Sequence, residues 1–330
     1  MVITSREHRY THLSPYWEPA LDLDIITYDQ VLKRQTPHQA THIFTDLDRL
    51  PAWRVHEAAM LYRDLERRQL SALNDPSRFL GRFGLLRALF RAGFNDFNAY
   101  RLDELERPAR WPVFLRLEGN HSAPVSDLIR NEEDLELAIQ HAIEGGAPRS
   151  ALLIIEFAAE PAAPGIFRKL SVFRVGARLI GYTCVHDDNW LVKYGKSGIA
   201  TDELYEEEYS FVAHNPFAPL MSRAFDVAGL DYGRVDFGLV GGKPQVYEIN
   251  SNPDLDLRPK PAANRRRNES IALFRERYID AMNAIDVARR PSWRRTSSAV
   301  ARKARLMPAR IAKAVAAIAG VNSGIKASRH

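Results

Sequence analysis

Apolar residues recur at intervals of three and four along several stretches of the chain, a spacing that places them on one face of a helix. The pattern predicts helices over 51–70, from 74, from 131, over 217–229 and over 270–285. The stripe of the first helix consists of Val55, Ala58, Tyr62 and Leu65. Asn74-Asp75-Pro76 supplies a capping side chain and a first-turn proline for the second helix, and Asn131 caps the third.

Shorter apolar or alternating runs between these helices predict strands. They cover 21–28, 42–45, 111–117, 151–157, 167–182 as two strands that turn at Gly176, and 234–250 as a hairpin. Residues 1–20 show no period, and we expect a loosely held arm there. Helices and mostly antiparallel strands alternate irregularly, which predicts an α+β fold rather than a doubly wound sheet.

The length and composition are those of a folded protein with more than one structural unit. The chain has 330 residues, of which 45% are hydrophobic and 26% are charged, which excludes a mainly disordered chain. It has neither an apolar run of about 18 residues nor an N-terminal secretory pattern. Its single cysteine, Cys184, excludes an internal disulfide. We therefore expect a soluble cytoplasmic protein.

The basic charge is concentrated at the C-terminus. Residues 286–330 contain 11 Lys and Arg against one acid, which leaves 35 basic and 40 acidic residues in 1–285. The formal net charge of +5 therefore comes from this tail and gives no argument for nucleic-acid binding. A helical stripe runs through the tail at Val300, Ala304, Met307, Ile311, Val315 and Ile318. A basic amphipathic tail over 296–330 favours contact with a membrane surface or an acidic partner, including the body of the chain.

The hairpin predicted over 234–250 carries a group of oxygen-bearing side chains. Glu248 and Asn250 share a face of its second strand because they lie two residues apart, and Asp236 lies on the first strand. Two carboxylates and an amide are hard oxygen ligands, which magnesium takes together with waters and nucleotide phosphates. The residues favour a magnesium site, and the alternative is an ordinary polar hairpin face.

The register of the hairpin decides whether these side chains meet. A two-residue turn at Gly241-Gly242 would pair Asp236 with Tyr247 and move Glu248 to the opposite face. A three-residue turn, or a bulge with the same effect, places Asp236 opposite Glu248. We therefore predict a turn of Gly241-Gly242-Lys243 or such a bulge.

Asp236, Glu248 and Asn250, followed by Ser251-Asn252-Pro253, resemble the last motif of the ATP-grasp superfamily. That superfamily includes glutathione synthetase, D-alanine–D-alanine ligase and the ribosomal-protein glutamate ligase. The resemblance implies an ATP-grasp fold, in which ATP lies between two α+β lobes and the three residues hold two magnesium ions on its phosphates. It implies a reduced pre-ATP-grasp region over 1–75, an N-terminal lobe over 76–157, a C-terminal lobe over 158–285 and the tail over 286–330.

Upstream segments follow the order of the same family. Arg116 lies on a strand that resembles the one ending in a phosphate-contacting lysine, and Glu156 and Phe157 end a strand similar to the hinge beside adenine. Lys169 lies in a segment similar to the next strand of the family. The resemblance implies that these four residues bind the nucleotide.

The sequence departs from the family at three places. Arg116 has a planar fork of donors where the family has the point charge of a lysine. The segment 118–122 has only Gly119 where a glycine-rich loop usually covers the phosphates, and Ser171 stands where the glutamate ligases tend to have arginine. The subgroup and the acyl acceptor are therefore left open.

Two further cations are candidates for catalysis. Lys193 lies in a loop-like stretch near the expected entry of the acceptor, and Arg234 lies two residues before Asp236 on the same face. Cations aimed at a triphosphate offset the charge that develops in phosphoryl transfer. The alternatives are a solvated surface role for Lys193 and a salt bridge from Arg234 to Glu248.

The resemblance implies an ATP- and magnesium-dependent ligase that joins a small carboxylate to an amine or thiol. The γ-phosphate of ATP would activate the carboxylate as an acylphosphate, which the nucleophile then attacks. The alternatives are an ATP-grasp kinase that phosphorylates a hydroxyl and a non-catalytic nucleotide-binding protein at a membrane surface.

Overall fold

The computed structural model of the chain describes residues 1–33, 39–119, 123–258 and 264–285. Within these ranges the strands form one parallel and two antiparallel sheets, and helices pack on them. The predicted α+β fold class is therefore confirmed. Short 3₁₀ turns cover Arg9–His12, Leu47–Arg49, Pro76–Arg78 and Arg149–Ala151. The predicted basic tail lies outside the described residues.

The N-terminal part of the chain builds a parallel sheet. Its strands, in spatial order, are Ile25–Thr27 (β2), Val2–Thr4 (β1), His42–Phe44 (β3) and Ala72–Leu73 (β4). The helices of this part are Leu13–Trp17 (α1), Tyr28–Leu32 (α2) and Ala52–Arg67 (α3). Val2 and Ile3 are fully buried, so the expectation of a loose arm over 1–20 is wrong. A strand of three residues buried in a parallel sheet has no alternation to detect.

A smaller antiparallel sheet has the strand order Ala99–Arg101 (β5), Leu152–Glu156 (β7) and Val113–Leu117 (β6). The helices of this part are Gly81–Arg91 (α4) and Glu132–Glu144 (α5). Leu152 and Ile154 of β7 share a buried cluster with Leu135 of α5, while Leu153 and Ile155 share another with residues of α4. As predicted, Asn131 caps α5, because its side chain accepts from the amide of Asp134.

The largest sheet has five antiparallel strands. Their order is Arg178–Asp187 (β10), Ile166–Val175 (β9), Tyr232–Val240 (β11) and Lys243–Asn250 (β12), and Pro161–Ala163 (β8) also pairs with β9. Its helices are Asp202–His214 (α6), Ala218–Ala228 (α7) and Arg265–Ala284 (α8). Val235 and Phe237 are fully buried in the same core cluster as residues of these helices. Because side chains alternate along β11, Arg234 and Asp236 point to the other face.

Four helices, α1, α2, α4 and α6, differ from the pattern predicted by the sequence. Asp75 caps only the short turn Pro76–Arg78, and α4 begins separately at Gly81. Helix α6 was not predicted, because its inward face is partly charged: the buried Glu208 pairs with Arg267 of α8. None of the helices in the described ranges is long and apolar enough to cross a membrane.

Candidate functional site

The β11–β12 hairpin has the register that the magnesium hypothesis requires. Its turn contains two residues, Gly241-Gly242, with φ angles of 56° and 78°, so the three-residue turn is wrong. Asp236 nevertheless pairs with Glu248, because Tyr247 is an extra residue that the ladder skips. The predicted alternative, a bulge, is therefore confirmed. The ring of Tyr247 lies over Gly238, where any Cβ would collide with its hydroxyl.

Asp236 and Glu248 line a cleft between the largest sheet and the small antiparallel sheet. The cleft encloses about 990 Å³ of space, part of which is open to solvent. It brings together most of the predicted site residues, namely Arg116, Glu156, Phe157, Lys169, Lys193, Asp236 and Glu248. The remaining two lie at its edge: Asn250 lines an adjoining pocket with Glu248, and Arg234 contacts Asp236.

Asp236 is held from several sides and is only 1% exposed. Arg234 donates from Nε to Oδ1 at 2.8 Å and from Nη2 to Oδ2 at 3.0 Å. The hydroxyl of Ser171 donates to Oδ1 at 2.8 Å, and Nζ of Lys169 lies 3.5 Å from Oδ2. Burial opposes the charge of Arg234, but the Asp236 carboxylate outweighs it and raises the pKa of the guanidinium. Arg234 therefore pairs with Asp236, not with Glu248 as the alternative had it.

Two arginines converge beside Glu248. Arg82, in the first turn of α4, donates from Nη2 to Oε2 of Glu248 at 2.7 Å. The Nε atoms of Arg82 and Arg116 are buried and make no hydrogen bond to any described residue. Burial, and next the charge of Arg82, lower the pKa of Arg116 to about 10. Buried guanidinium donors without acceptors indicate a place for an anionic ligand.

Two lysines lie on the opposite side of the cleft. Nζ of Lys169 donates to the carbonyl oxygen of Lys193 at 2.7 Å, and the side chain of Lys193 is exposed at the mouth. With Arg82, Arg116 and Arg168, they give the cleft lining five basic residues against three acidic ones. This cationic excess favours an anionic ligand.

Aromatic rings line the other end of the cleft. Trp190 packs edge-on against Phe157 with 5.6 Å between ring centroids, and it lies 5.1 Å from Phe114. Ile155 and Leu191 complete this apolar wall. Flat apolar walls of this kind suit a planar aromatic group.

Glu156 uses its carboxylate within the protein. Oε1 accepts from the hydroxyl of Tyr100 at 2.8 Å and from the amides of Ala109 and Arg110 at 2.9 and 3.1 Å. Oε2 accepts from the amide of Asn98 at 3.0 Å. The side chain therefore fastens residues 98–110 to the end of β7. Because both carboxylate oxygens are engaged, a contact between Glu156 and a nucleotide would use the backbone of Glu156. That contact stays a prediction.

Asp236, Glu248 and Asn250 fit a magnesium ion by the chemistry of their donors. In the described part of the chain no three His, Cys, Asp or Glu side chains form a metal-binding group. A third donor from this set would be the amide oxygen of Asn250, which accepts from the amide of Asn252 at 2.8 Å. Lys169 and Arg234 already flank Asp236. A divalent cation there meets positive neighbours, so its binding requires the negative charge of a phosphate ligand.

A second pocket adjoins the cleft and shares Arg82 and Glu248 with it. It encloses about 1340 Å³, again partly open to solvent. Its apolar wall consists of Leu47, Leu50, Ala52, Val55, Phe79, Leu80, Leu85, Ala228, Leu230 and Ile249. The shared pair is therefore the place where ligands in the two cavities would meet.

Two residues of the cleft, Arg82 and Trp190, were not predicted from the sequence. Arg82 lies among the apolar positions of α4, and nothing in the sequence relates it to a strand 166 residues later. Trp190 lies three residues before Lys193, in the same loop-like stretch. An aromatic residue this close to a candidate catalytic lysine could have been predicted to line the site.

No protein-family model and no curated protein sequence matches the chain. Similar solved structures include the D-alanine–D-alanine ligase from Bacillus anthracis complexed with ATP, with 11% identity and a TM-score of 0.47 over 85% of this chain and 99% of that one. The D-alanine–D-alanine ligase from Coxiella burnetii has 12% identity and a TM-score of 0.48, over 86% and 98%. An L-amino acid ligase from Bacillus licheniformis has 12% identity and a TM-score of 0.40, over 76% and 66%.

Proposed function

We propose that this chain is an ATP- and magnesium-dependent ligase of the ATP-grasp type, which activates a carboxylate as an acylphosphate and passes the acyl group to an amine or thiol. The observation that carries the proposal is the meeting of two cavities at Arg82 and Glu248. The cleft has an aromatic end and a cationic end, and the adjoining pocket has room for an organic substrate.

The two ends of the cleft match the two parts of a nucleoside triphosphate. The adenine would lie against Trp190 and Phe157, whose rings form the apolar wall. The triphosphate would extend towards Arg116 and Lys169, with Lys193 contacting it from the mouth. In this arrangement the buried Nε of Arg116 gains the acceptor that it lacks among the described residues.

In the first step an oxygen of the substrate carboxylate attacks the γ-phosphorus. The bond from that phosphorus to the bridging oxygen breaks, and ADP leaves with the electron pair. Arg82 and Arg116 would stabilise the charge of the transferring group, and their fixed placement would avoid reorganisation during the reaction. A magnesium ion held by Asp236, Glu248 and Asn250 would neutralise part of the phosphate charge.

In the second step the nitrogen or sulfur of the acceptor attacks the acyl carbon. The bond from that carbon to the phosphate oxygen breaks, phosphate leaves, and the acceptor loses its proton. This chemistry needs no protein nucleophile, and Cys184 is unsuited to be one because burial raises the pKa of its thiol. Arg234 acts through Asp236 and is a positioning residue.

A turnover assay tests the proposal. The full-length protein is incubated with ATP, magnesium, pooled small carboxylates and hydroxylamine, which converts an acylphosphate into a hydroxamate. We expect ADP, phosphate and hydroxamate in equal amounts, and an amide or thioester when an amine or thiol replaces hydroxylamine. A stable phosphorylated hydroxyl compound without free phosphate would contradict ligation and indicate a kinase.

A further inference from the structure

Helix α5 has an outer face that combines apolar and acidic side chains. Leu137 and Ile143 are 50% and 38% exposed on this face. A shallow groove along it is lined by Glu133, Glu136, Leu137, Ile139, Gln140, Ile143, Glu144 and Arg149. We call these residues the α5 face.

The charge of this helix is strongly negative. Residues 132–144 include five acidic residues and no Lys or Arg. Within the described ranges, Glu133 and Glu136 form no ion pair, whereas Glu132 lies 3.6 Å from Arg107. The α5 face therefore presents uncompensated acids beside exposed apolar surface, which suits a basic amphipathic partner.

Helix α3 offers a contrast within the same molecule. Trp53 and Met60 are 59% and 53% exposed on it, so its apolar exposure is similar to that of α5. The acids of α3 are paired with arginines: Glu57 with Arg54, Glu66 with Arg63 and Asp64 with Arg68. They are therefore compensated, unlike Glu133 and Glu136 of α5, and this difference in charge distinguishes the two faces.

The chain itself contains a segment of the complementary composition. Residues 300–318 carry the apolar stripe described above, interspersed with Arg302, Lys303, Arg305, Arg310 and Lys313. When extended, residues 286–299 span at most about 50 Å. A body of this size has a radius of gyration of about 19 Å, so the linker is about as long as the body is wide.

We propose that residues 300–318 dock on the α5 face of the same chain. Their apolar stripe covers Leu137 and Ile143, and their basic side chains lie beside Glu133, Glu136 and Glu144. The contact lies behind the small sheet, since α5 packs on the strands whose opposite face lines the cleft.

Disulfide trapping in the full-length chain tests this docking. Leu137→Cys is combined with Ile311→Cys, and the matched control combines Met60→Cys with Ile311→Cys, since both exposed positions are about half accessible. The native Cys184 is buried and does not compete. We expect the first pair to form an intramolecular disulfide at least about tenfold faster than the control. Adding Glu133→Gln and Glu136→Gln, or about 1 M salt, should reduce the rate to that of the control.

Three results would overturn the docking. The first is equal trapping rates in the two pairs. The second is a disulfide-linked dimer as the main product, which would place the tail on a second copy. The third is a control-level rate together with binding of the unsubstituted chain to phosphatidylserine vesicles, which would assign the tail to a membrane. Hydrogen exchange of the unsubstituted chain checks folding effects: α5 should lose protection in high salt, and α3 should not.

Discussion

Arg82 and Glu248 lie 166 residues apart in the sequence and are joined by a hydrogen bond of 2.7 Å. The contact ties the first turn of α4 to β12 at the place where the cleft and the second pocket meet. Arg82 keeps a second donor, Nε, that is buried and bonded to no described residue. In the proposed function, Arg82 therefore lies where the ligands of the two cavities would meet.

Arg82→Lys should lower kcat/KM for ADP release by about a hundredfold. The lysine keeps the positive charge but loses the planar fork that can contact Glu248 and a phosphate oxygen together. The matched control is Arg63→Lys, which changes an exposed arginine paired with Glu66 and Asp75 and should leave turnover unchanged. Equal activity of the two variants would remove Arg82 from the site.

Asp236→Asn should abolish ATP turnover and destabilise the fold. The substitution removes the buried charge that compensates the partly buried Arg234 guanidinium, and breaking such a pair costs about 3 kcal/mol. Urea unfolding measures this loss. Asp226→Asn is the control, because Asp226 pairs with Arg174 but is 61% exposed and should cost under about 1 kcal/mol. Turnover at the wild-type rate in Asp236→Asn would refute the assignment.

Trp190→Ala should weaken ATP binding by about tenfold, since it removes the ring that packs against both Phe157 and Phe114. Trp190→Phe should retain most of the affinity. In the wild type, ATP should change tryptophan fluorescence, and this change should disappear in Trp190→Phe but persist in Trp53→Phe. A fluorescence change that survives in Trp190→Phe would place the nucleotide base elsewhere.

Magnesium should bind tightly only together with the nucleotide. Lys169 and Arg234 flank Asp236, so a lone divalent cation meets repulsion that phosphate oxygens would offset. Calorimetric titration with magnesium chloride alone should show no binding at concentrations that saturate in the presence of ATP. Comparable affinities with and without ATP would contradict the charge arrangement described for the cleft.

His12 should make the fold sensitive to acid. Burial lowers its pKa to about 4, against the opposing influence of Asn252 and Asp46. In the unfolded chain His12 has its ordinary pKa of 6.5. Between pH 6.5 and pH 4 the unfolded chain therefore holds more protons than the folded chain. The free energy of unfolding consequently decreases as the pH is lowered through this range. The loss approaches about 3 kcal/mol near pH 4. Urea unfolding at pH 7 and at pH 4.5 measures this loss. The free energy of unfolding should decrease less between the two pH values in His12→Asn than in the wild type. The control is His56→Asn, at an exposed position, which should behave like the wild type.

Local patterns carried most of the sequence predictions that the structure confirms. The cap Asn131, the turn at Gly176 and the hairpin pairing of Asp236 with Glu248 depend on neighbouring residues and on strand alternation. The bulge at Tyr247 followed from a geometric requirement of the site.

Contacts between segments that are distant in the sequence could not be predicted from such local patterns. β1 is three residues long, and only its neighbours in the sheet make it a buried strand. Arg82 reaches Glu248 only through the packing of α4 beside β12. The carboxylate of Glu156 is engaged by amides of the 98–110 segment, which the sequence does not relate to it.

In the proposed function, the cleft binds ATP with magnesium through Asp236 and Glu248. Isothermal titration of ATP with magnesium into the full-length protein, and into the Asp236→Asn, Glu248→Gln double variant, measures this binding. We predict saturable binding to the wild type, in a ratio of one nucleotide to one chain, and none to the variant. Equal affinity in both proteins, or no heat from the wild type, would refute this nucleotide site.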